Sequence, residues 1–488
     1  MAEENKLITQ RKDKLQKILK AKINPYPYQF EKTADAAFLL QQFAHLKEGE
    51  KSKETFCIAG RLMTFRIMGK ASFGHIQDSS GQIQIFLREN ELGKTYALFT
   101  DALDLGDIIG IEGKIFRTKK GELSIWTEQL TLLCKSLRPL PEKWHGLKDI
   151  EIRYRQRYLD LIANPEVKKI FSARTAIIHA MRDFLTSKGF LEVDTPVLQS
   201  IYGGTNARPF KTFLNELKMD VYLRISNELY LKRLIVGGFE KIFEFSKDFR
   251  NESIDRTHNP EFLMMETMWA YADYKNNMDL TEEMIEHIAK KILGTTRINY
   301  QGTIIDVQRP WQRLTVLEAL KKYAGIDVGK MTEKQLKEML KKHHVELAGE
   351  FSRGNAIAAL FEELVEEKLI QPTLVYDFPS ATCVLAKKRL DNPEFAERFE
   401  PYINGWEIGN SYTEENQPDI LRAAWQQEEG RRKKGDEEAQ RMDEDFIHAL
   451  EIGMPPTSGL GIGVDRLVML LTNQPSIRDV LFFPFMKR

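Results

Sequence analysis

Between residues 250 and 266 the chain places Arg250, Glu252, Arg256, His258, Glu261 and Glu266 inside an otherwise apolar run, "FRNESIDRTHNPEFLMMETMWAYADY". Read as strand, turn and strand, the stretch alternates. In the first half Glu244, Ser246, Asp248, Arg250 and Glu252 share one face and Phe243, Phe245 and Phe249 the other. One face is expected to pack and the other to work. In the returning half Phe262, Met264, Glu266 and Met268 share a face. Such a hairpin offers Arg250 as a planar fork for a phosphate or carboxylate, His258 as a second anion contact, and Phe262 as a flat apolar platform. Glu266 follows Phe262 by about 13 Å of strand at ~3.3 Å per residue. That is the span from a nucleotide base to a group attached beyond its α-phosphate. A salt-bridged surface hairpin is the competing reading.

Two further stretches carry chemistry. "GLGIGVDRLVMLL" (459–471) does not have the GxGxxG spacing of a dinucleotide loop, and Asp465 and Arg466 follow its glycines at once. It reads as a glycine-bearing strand packed close to a ligand and running into a helix. In "ERFEPYINGWEIGNSYTEEN", Glu400 and Glu407 are candidate ligands for magnesium, a cation usually held by one or two carboxylates plus substrate phosphates. Asn410, Tyr412 and Glu414 share a strand face farther on.

The elements that must position these residues divide the chain. Residues 1–50 begin with a basic stretch, seven Lys or Arg against three acids up to residue 22, with Leu15, Ile18 and Leu19 at helical spacing. Residues 51–138 read as about five short strands with hairpin signals at "DSSGQ" and "TKKGE", a small barrel of the kind that binds single-stranded oligonucleotides. Such barrels stack bases on aromatics, and Phe73, with His75 and Gln84 on neighbouring positions, is the candidate, although a core Phe73 is the plainer reading. A linker, 139–150, holds "LRPLPEKWHG". Residues 151–488 open with a helical pattern ended at Gly189. Hairpin-like strands then alternate with helices, so the expected class is α+β on an antiparallel sheet.

Bulk properties narrow the setting. Of 488 residues, 71 are basic and 71 acidic, so global charge does not single out a nucleic-acid partner. Cys57, Cys134 and Cys383 stand far apart, without metal-ligand spacing, which fits a reducing compartment. No apolar run reaches the ~18 residues of a membrane span and the first 30 residues lack a signal-like core. A cytoplasmic protein without a membrane partner is expected.

Taken together the stretches resemble the class II aminoacyl-tRNA synthetases, and among them the bacterial-type lysyl-tRNA synthetases. "GFLEVDTPVL" (near 189–196, with Pro196 at its dimer-forming end) resembles motif 1, "FRNESIDRTHNPEF" within 249–270 motif 2, and "GLGIGVDRLVML" (459–471) motif 3. "YGGTNARPF", "RISNELYLKRLIVGG", "YRQRYLDL" and "SIRDVLFFP" extend the match over nearly the whole chain. The class I HxGH pattern is absent, and "KMTEK" stands alone.

The resemblance implies an OB-fold anticodon-binding barrel before a class II catalytic domain, a homodimer, and a ligase that joins L-lysine to tRNA(Lys) using ATP and Mg2+. It implies catalytic roles for Arg250 and Arg466, and ATP contacts from Arg250, Glu252, His258, Asn259, Phe262, Glu407 and Arg466. Lysine would be lined by Gly204, Glu228, Glu266, Met268, Asn410, Tyr412 and Glu414. Magnesium would fall to Glu400 and Glu407, and the anticodon to Arg61, Phe73, Gln84 and Glu122. Carboxylate attack on an α-phosphorus needs no proton removed, which agrees with arginines and a histidine but no catalytic dyad. Two acids at Glu266 and Glu414 suit an ammonium side chain, since a buried ammonium is costly unless paired.

The chain departs from the family at Met268, where a tyrosine is usual, in "TCVLAKK" and in "YTEEN". A thioether is a weak acceptor, so weaker lysine binding is expected. A tRNA-binding or protein-lysylating paralogue is the alternative. The first is expected to lose motif arginines, yet Arg250 and Arg466 stand, and the second to lack the barrel.

Overall fold

The computed structural model describes residues 2–141, 147–347, 351–435 and 438–487. Residues 142–146, in the middle of the expected linker, lie outside the described residues. The chain separates into two compact units, 1–148 and 149–488.

In the first unit helix α1 (Ala2–Lys20) precedes five strands, β1 (Lys51–Met68), β2 (Ala71–Gln77), β3 (Gln82–Arg88), β4 (Ile108–Arg117) and β5 (Leu123–Cys134). They close as a barrel in the order β1-β2-β3-β5-β4. Closure follows from alternation: Ile58, Leu62, Ile76, Ile83, Ile85, Ile109, Ile111, Ile115 and Ile125 point inward and are fully buried. The residues before β1 pack onto the barrel. Ile18 of α1, Leu39 and Phe43 are buried in the barrel's core, and Arg11 donates to the carbonyls of Leu105 and Arg138 at 3.0 and 2.9 Å. An amphipathic helix with a free apolar stripe gains by covering one end of a small barrel.

The second unit is built on a nine-stranded sheet. Its labelled strands are β6 (Lys241–Phe249), β7 (Glu261–Ala270), β8 (Thr373–Tyr376), β9 (Arg398–Ile403), β10 (Gly409–Thr413) and β11 (Thr457–Gly463). The path runs from Gln312–Thr315 through β8, β9, β10, β11, β7 and β6 to Leu191–Glu192, with Trp406–Glu407 pairing β9. The centre is antiparallel, as expected, but both edges are parallel: Gln312–Thr315 on β8, and Leu191–Glu192 on β6.

Helix α2 (Val167–Ser187) and helix α4 (Tyr274–Leu293) cover one face of the sheet; between them in sequence lies the shorter α3 (Glu228–Val236). Phe171, Ile177, Met181, Phe184 and Leu185 of α2 are buried. Helix α4 starts at a capping box on Asp273 and stops at Gly294, whose φ of 71° is left-handed. Phe243, Met265, Phe399, Leu460 and Ile462 meet these helices in one apolar core. The opposite face carries the polar positions.

The expectation of one packed and one working face on β6 needs correction. Glu244, Ser246 and Asp248 are buried as completely as Phe243. Glu244 accepts hydrogen bonds from Arg224 Nη1 (2.7 Å), Asn227 Nδ2 (2.8 Å) and the Thr195 hydroxyl (2.8 Å). A polar strand face can be buried when distant residues satisfy it.

Candidate active site

The sheet positions a cavity of about 380 Å³ over β7, β10 and β11. The register explains why a ligand fits there. Glu266 pairs across Gly461 with Asn410, and Met268 across Gly459 with Tyr412. Strand β11 thus contributes no side chain to the floor, leaving two lateral rows with bare backbone between them. A Cβ on Gly459 would lie 2.3 Å from Glu414 Oε1 and 3.0 Å from Met268 Sδ, so a side chain there would displace both of these pocket-lining groups.

One end of the cavity is cationic and aromatic. The Arg250 backbone N–H donates to Pro260 O (2.9 Å), closing the loop between β6 and β7. Its guanidinium carbon stands 5.0 Å above the Phe262 ring. Within the loop Asp255 accepts from Thr257 N (2.7 Å) and His258 N (2.8 Å), and pairs with His258 Nδ1 at 2.8 Å. Partial burial works against ionisation of Asp255, but these bonds outweigh it and hold the carboxyl down at about 2. With the proton on Nδ1, His258 Nε2 is left to accept from Arg466 Nη2 at 3.0 Å.

Arg466 also donates to the Glu407 carbonyl at 2.5 Å. It projects from α5 (Val464–Leu471). The neighbouring Asp465 fixes that helix start by accepting from Leu263 N (2.8 Å) and from Arg174 (2.5 Å). Asn259, nearly buried, donates to Glu261 O at 2.6 Å and Glu252 lines the rim.

Of the acids read as magnesium ligands, Glu407 lines the cavity and Glu400, on β9, is not among its lining residues. Burial and the nearby Glu400 push the Glu407 carboxyl up to about 7, with Arg466, Arg398 and Arg250 pulling the other way. Glu400 is held by Arg398 and by the Tyr402 hydroxyl. No group of three or more metal-ligating side chains exists among the described residues. Two mutually repelling carboxyls beside a phosphate-sized cleft are still a fitting donor pair for a cation completed by substrate oxygens.

The far end is acidic. Glu228 and Glu414 are buried, and Glu266 lies partly open to the cavity. Burial, then the charges of Asp248 and Glu228, raise the Glu266 carboxyl well above its usual range. Burial also lifts Asp248 to about 6 and, with Glu228, Glu414 to about 8, Lys232 opposing the latter shift. The Tyr412 hydroxyl bonds Glu228. Gly204, at φ 93°, approaches Ser226 so closely that a Cβ would meet its hydroxyl at 2.8 Å. Met268 lines the cavity and is 2% exposed, packed with Leu229, Leu421 and Trp425.

In the barrel Phe73 stacks on Phe86, its register partner, with centroids 4.6 Å apart. Gln84 Nε2 and His75 Nε2 meet the two oxygens of Glu122 at 2.7 and 2.9 Å. Arg61 is tied elsewhere: its guanidinium donates to Gly106 O at 2.7 Å, and its register partner is Gln77.

Some residues of the site had no reading in the sequence. Asp255, Asp465 and Arg398 orient the cations and acids named above. Lys232 contacts both Glu228 and Glu414. Its only signal was an i,i+4 Glu–Lys spacing in "ELYLK", which usually marks an exposed helix face.

The cavity thus joins a cation-and-aromatic end to an acidic end on an antiparallel sheet, in a chain that also carries an oligonucleotide-type barrel. Comparison with known proteins agrees. Residues 149–487 match the family model of class II tRNA synthetases (D, K and N), and residues 56–137 that of the OB-fold nucleic acid binding domain. The chain is 52% identical to the lysine–tRNA ligase of Pelotomaculum thermopropionicum, covering 99% of this chain and 95% of that one. Identity is 51% to the ligase of Carboxydothermus hydrogenoformans and 50% to that of Moorella thermoacetica, each over 99% of this chain and 98% of the relative. The chain belongs to the class II tRNA synthetases. Within that class it is a member of the lysine–tRNA ligase family.

Proposed function

We propose that the protein activates L-lysine with ATP and transfers the lysyl group to the 3′ end of tRNA(Lys). The observation that carries this reading is the acidic end of the cavity, where the carboxyls of Glu228, Glu266 and Glu414 all line the wall and the buried Lys232 ammonium pairs with two of them, leaving acid in excess of cation. An ammonium is the complement of that arrangement. An aspartate or asparagine side chain needs a donor there instead.

In this reading adenine lies on Phe262 and under Arg466. Arg250 holds the α-phosphate and the lysine carboxylate, and His258 and Arg466 face the outer phosphates. A lysine carboxylate oxygen attacks the α-phosphorus, the bond to the bridging oxygen breaks and pyrophosphate leaves. No proton moves, so fixed positive charge and orientation carry the step. Magnesium bound at Glu400 and Glu407 would neutralise phosphate charge. In the second step a terminal tRNA hydroxyl attacks the lysyl carbonyl carbon and AMP leaves, with an adenylate phosphate oxygen accepting the proton. Gly204 and Glu228 receive the α-amino group, and Glu266, Met268, Asn410, Tyr412 and Glu414 surround the side chain.

Phe73, Gln84 and Glu122, with Arg61 on the adjoining strand, form the anticodon-reading group of the barrel. Homodimerisation and a cytoplasmic location complete the proposal; no helix among the described residues is long and apolar enough to cross a membrane. The test is amino-acid-dependent exchange of pyrophosphate into ATP. Lysine is expected to drive it and aspartate and asparagine to fail; absence of lysine-dependent exchange overturns the reading.

A further inference from the structure

The acidic end of the cavity already has a cation of its own. Lys232 lies one turn after Glu228 on α3, and its ammonium sits 2.5 Å from Glu228 Oε1 and against Glu414 Oε2. It is 1% exposed and stands 5.6 Å from the centre of the Tyr412 ring. Glu228, Tyr412 and Glu414 line the cavity, whereas Lys232 is not among its lining residues. The arrangement is acid, ammonium, acid, with both acids also lining the cavity.

Burying an ammonium is unfavourable unless it is paired, and two neighbouring buried carboxylates repel. Each group is therefore costly alone, and the triad is stable only as a unit. A carboxylate bound from behind by a fixed ammonium cannot rotate away to another partner. The Tyr412 hydroxyl on Glu228 restricts it further. Position 232 on helix α3 brings Nζ between acids that come from separate elements, Glu228 from the same helix and Glu414 from just beyond β10.

Resting on the proposed lysine-activating function, we propose that Lys232 is a positioning residue for amino-acid selection. It holds the Glu228 and Glu414 carboxylates aimed at the substrate's two ammonium groups, and it takes up enough of their charge that the site is completed by one lysine. Lys232 touches neither substrate nor ATP and acts through the two glutamates. Its loss is felt in lysine binding and not in nucleotide binding or in the chemical step.

The test uses the full chain and pyrophosphate exchange, with KM and kcat for lysine and KM for ATP measured separately. Lys232→Met, close to lysine in volume, is expected to raise the lysine KM roughly ten- to a hundredfold, the scale of a displaced charge-assisted contact. The kcat and the ATP KM should stay within about threefold. Lys232→Gln gives the same reading should Lys232→Met not fold.

Lys232→Ala supplies a readout that general damage does not move. The atoms removed correspond to propylammonium, so added propylammonium should lower the lysine KM of this variant, while in the unaltered protein it should only compete with lysine. An unchanged lysine KM in Lys232→Met overturns the proposal. So does a parallel rise in the ATP KM, or inhibition of Lys232→Ala by propylammonium without rescue. Loss of lysine-dependent exchange in the unaltered protein would instead count against the proposed function itself.

Discussion

The sharpest consequence of the site concerns Glu414 and pH. Burial and Glu228 push its carboxyl up to about 8 in the empty cavity, while the proposed substrate contact is between an ammonium and the ionised carboxylate. Below about pH 8 lysine must therefore displace a proton. Each pH unit then costs at most about 1.4 kcal/mol, or tenfold in affinity, so lysine should bind on the order of a hundredfold more weakly at pH 6 than on the plateau above pH 8. Glu414→Gln removes the titrating group. Its lysine KM should rise by about 1.5–3 kcal/mol, the worth of a hydrogen bond to a charged group, and the limb near pH 8 should flatten.

Stability should respond in the opposite sense. A carboxyl raised above its unfolded value near 4.5 favours the folded state while protonated. Its contribution is present below that value and is lost as pH rises through about 8. Glu414→Gln should lose less thermal stability than the unaltered protein as pH rises from 6 to about 8. The assays are lysine-dependent exchange and thermal unfolding over that range. A lysine KM that is flat from pH 6 to 9, or that slopes equally in both proteins, would refute the reasoning.

Three other outcomes are expected. Met268→Tyr places a hydroxyl beside Glu414, whose Oε1 and the Met268 thioether both lie over Gly459. One net hydrogen bond of about 1 kcal/mol should lower the lysine KM about fivefold with kcat unchanged, and an unchanged KM in exchange assays would remove the idea. Phe73→Leu should raise the KM for tRNA(Lys) in aminoacylation at least tenfold, from stacking worth about 1–3 kcal/mol per base, without altering pyrophosphate exchange. Asp255→Asn removes the acceptor that fixes the His258 ring. The KM for ATP should rise a fewfold while that for lysine holds, measured in the same assay at saturating magnesium.

Legibility varied with how local the physics was. The β6–β7 hairpin and its Phe262-to-Glu266 spacing could be read directly, because strand alternation is a property of consecutive residues. The barrel was visible for the same reason. What escaped was pairing between distant elements. Nothing near Glu244 announces that Arg224, Asn227 and Thr195 will satisfy it, so a buried polar strand face looked exposed. The docking of Ile18, Leu39 and Phe43 into the barrel likewise depends on a stripe whose partner surface is formed by other strands.

The meeting of Glu266 and Glu414 shows the limit most clearly. They belong to β7 and to the chain just past β10, with β11 between those strands; Glu266 registers through Gly461 with Asn410, four residues before Glu414, so their backbones stand roughly 10 Å apart across the sheet and about 13 Å apart along it. No spacing in sequence encodes that distance. What the sequence does encode is the gap that makes it useful, because Gly459 and Gly461 leave the intervening strand without side chains at the two register positions that matter. A substituent at either would fill the floor, and the acids would face a wall instead of each other. The glycines that fail as a dinucleotide motif therefore have a steric meaning: they convert two rows of side chains into the two sides of one cavity. Lys232 then supplies, from behind, the charge that allows so many acids to be buried on one side of it.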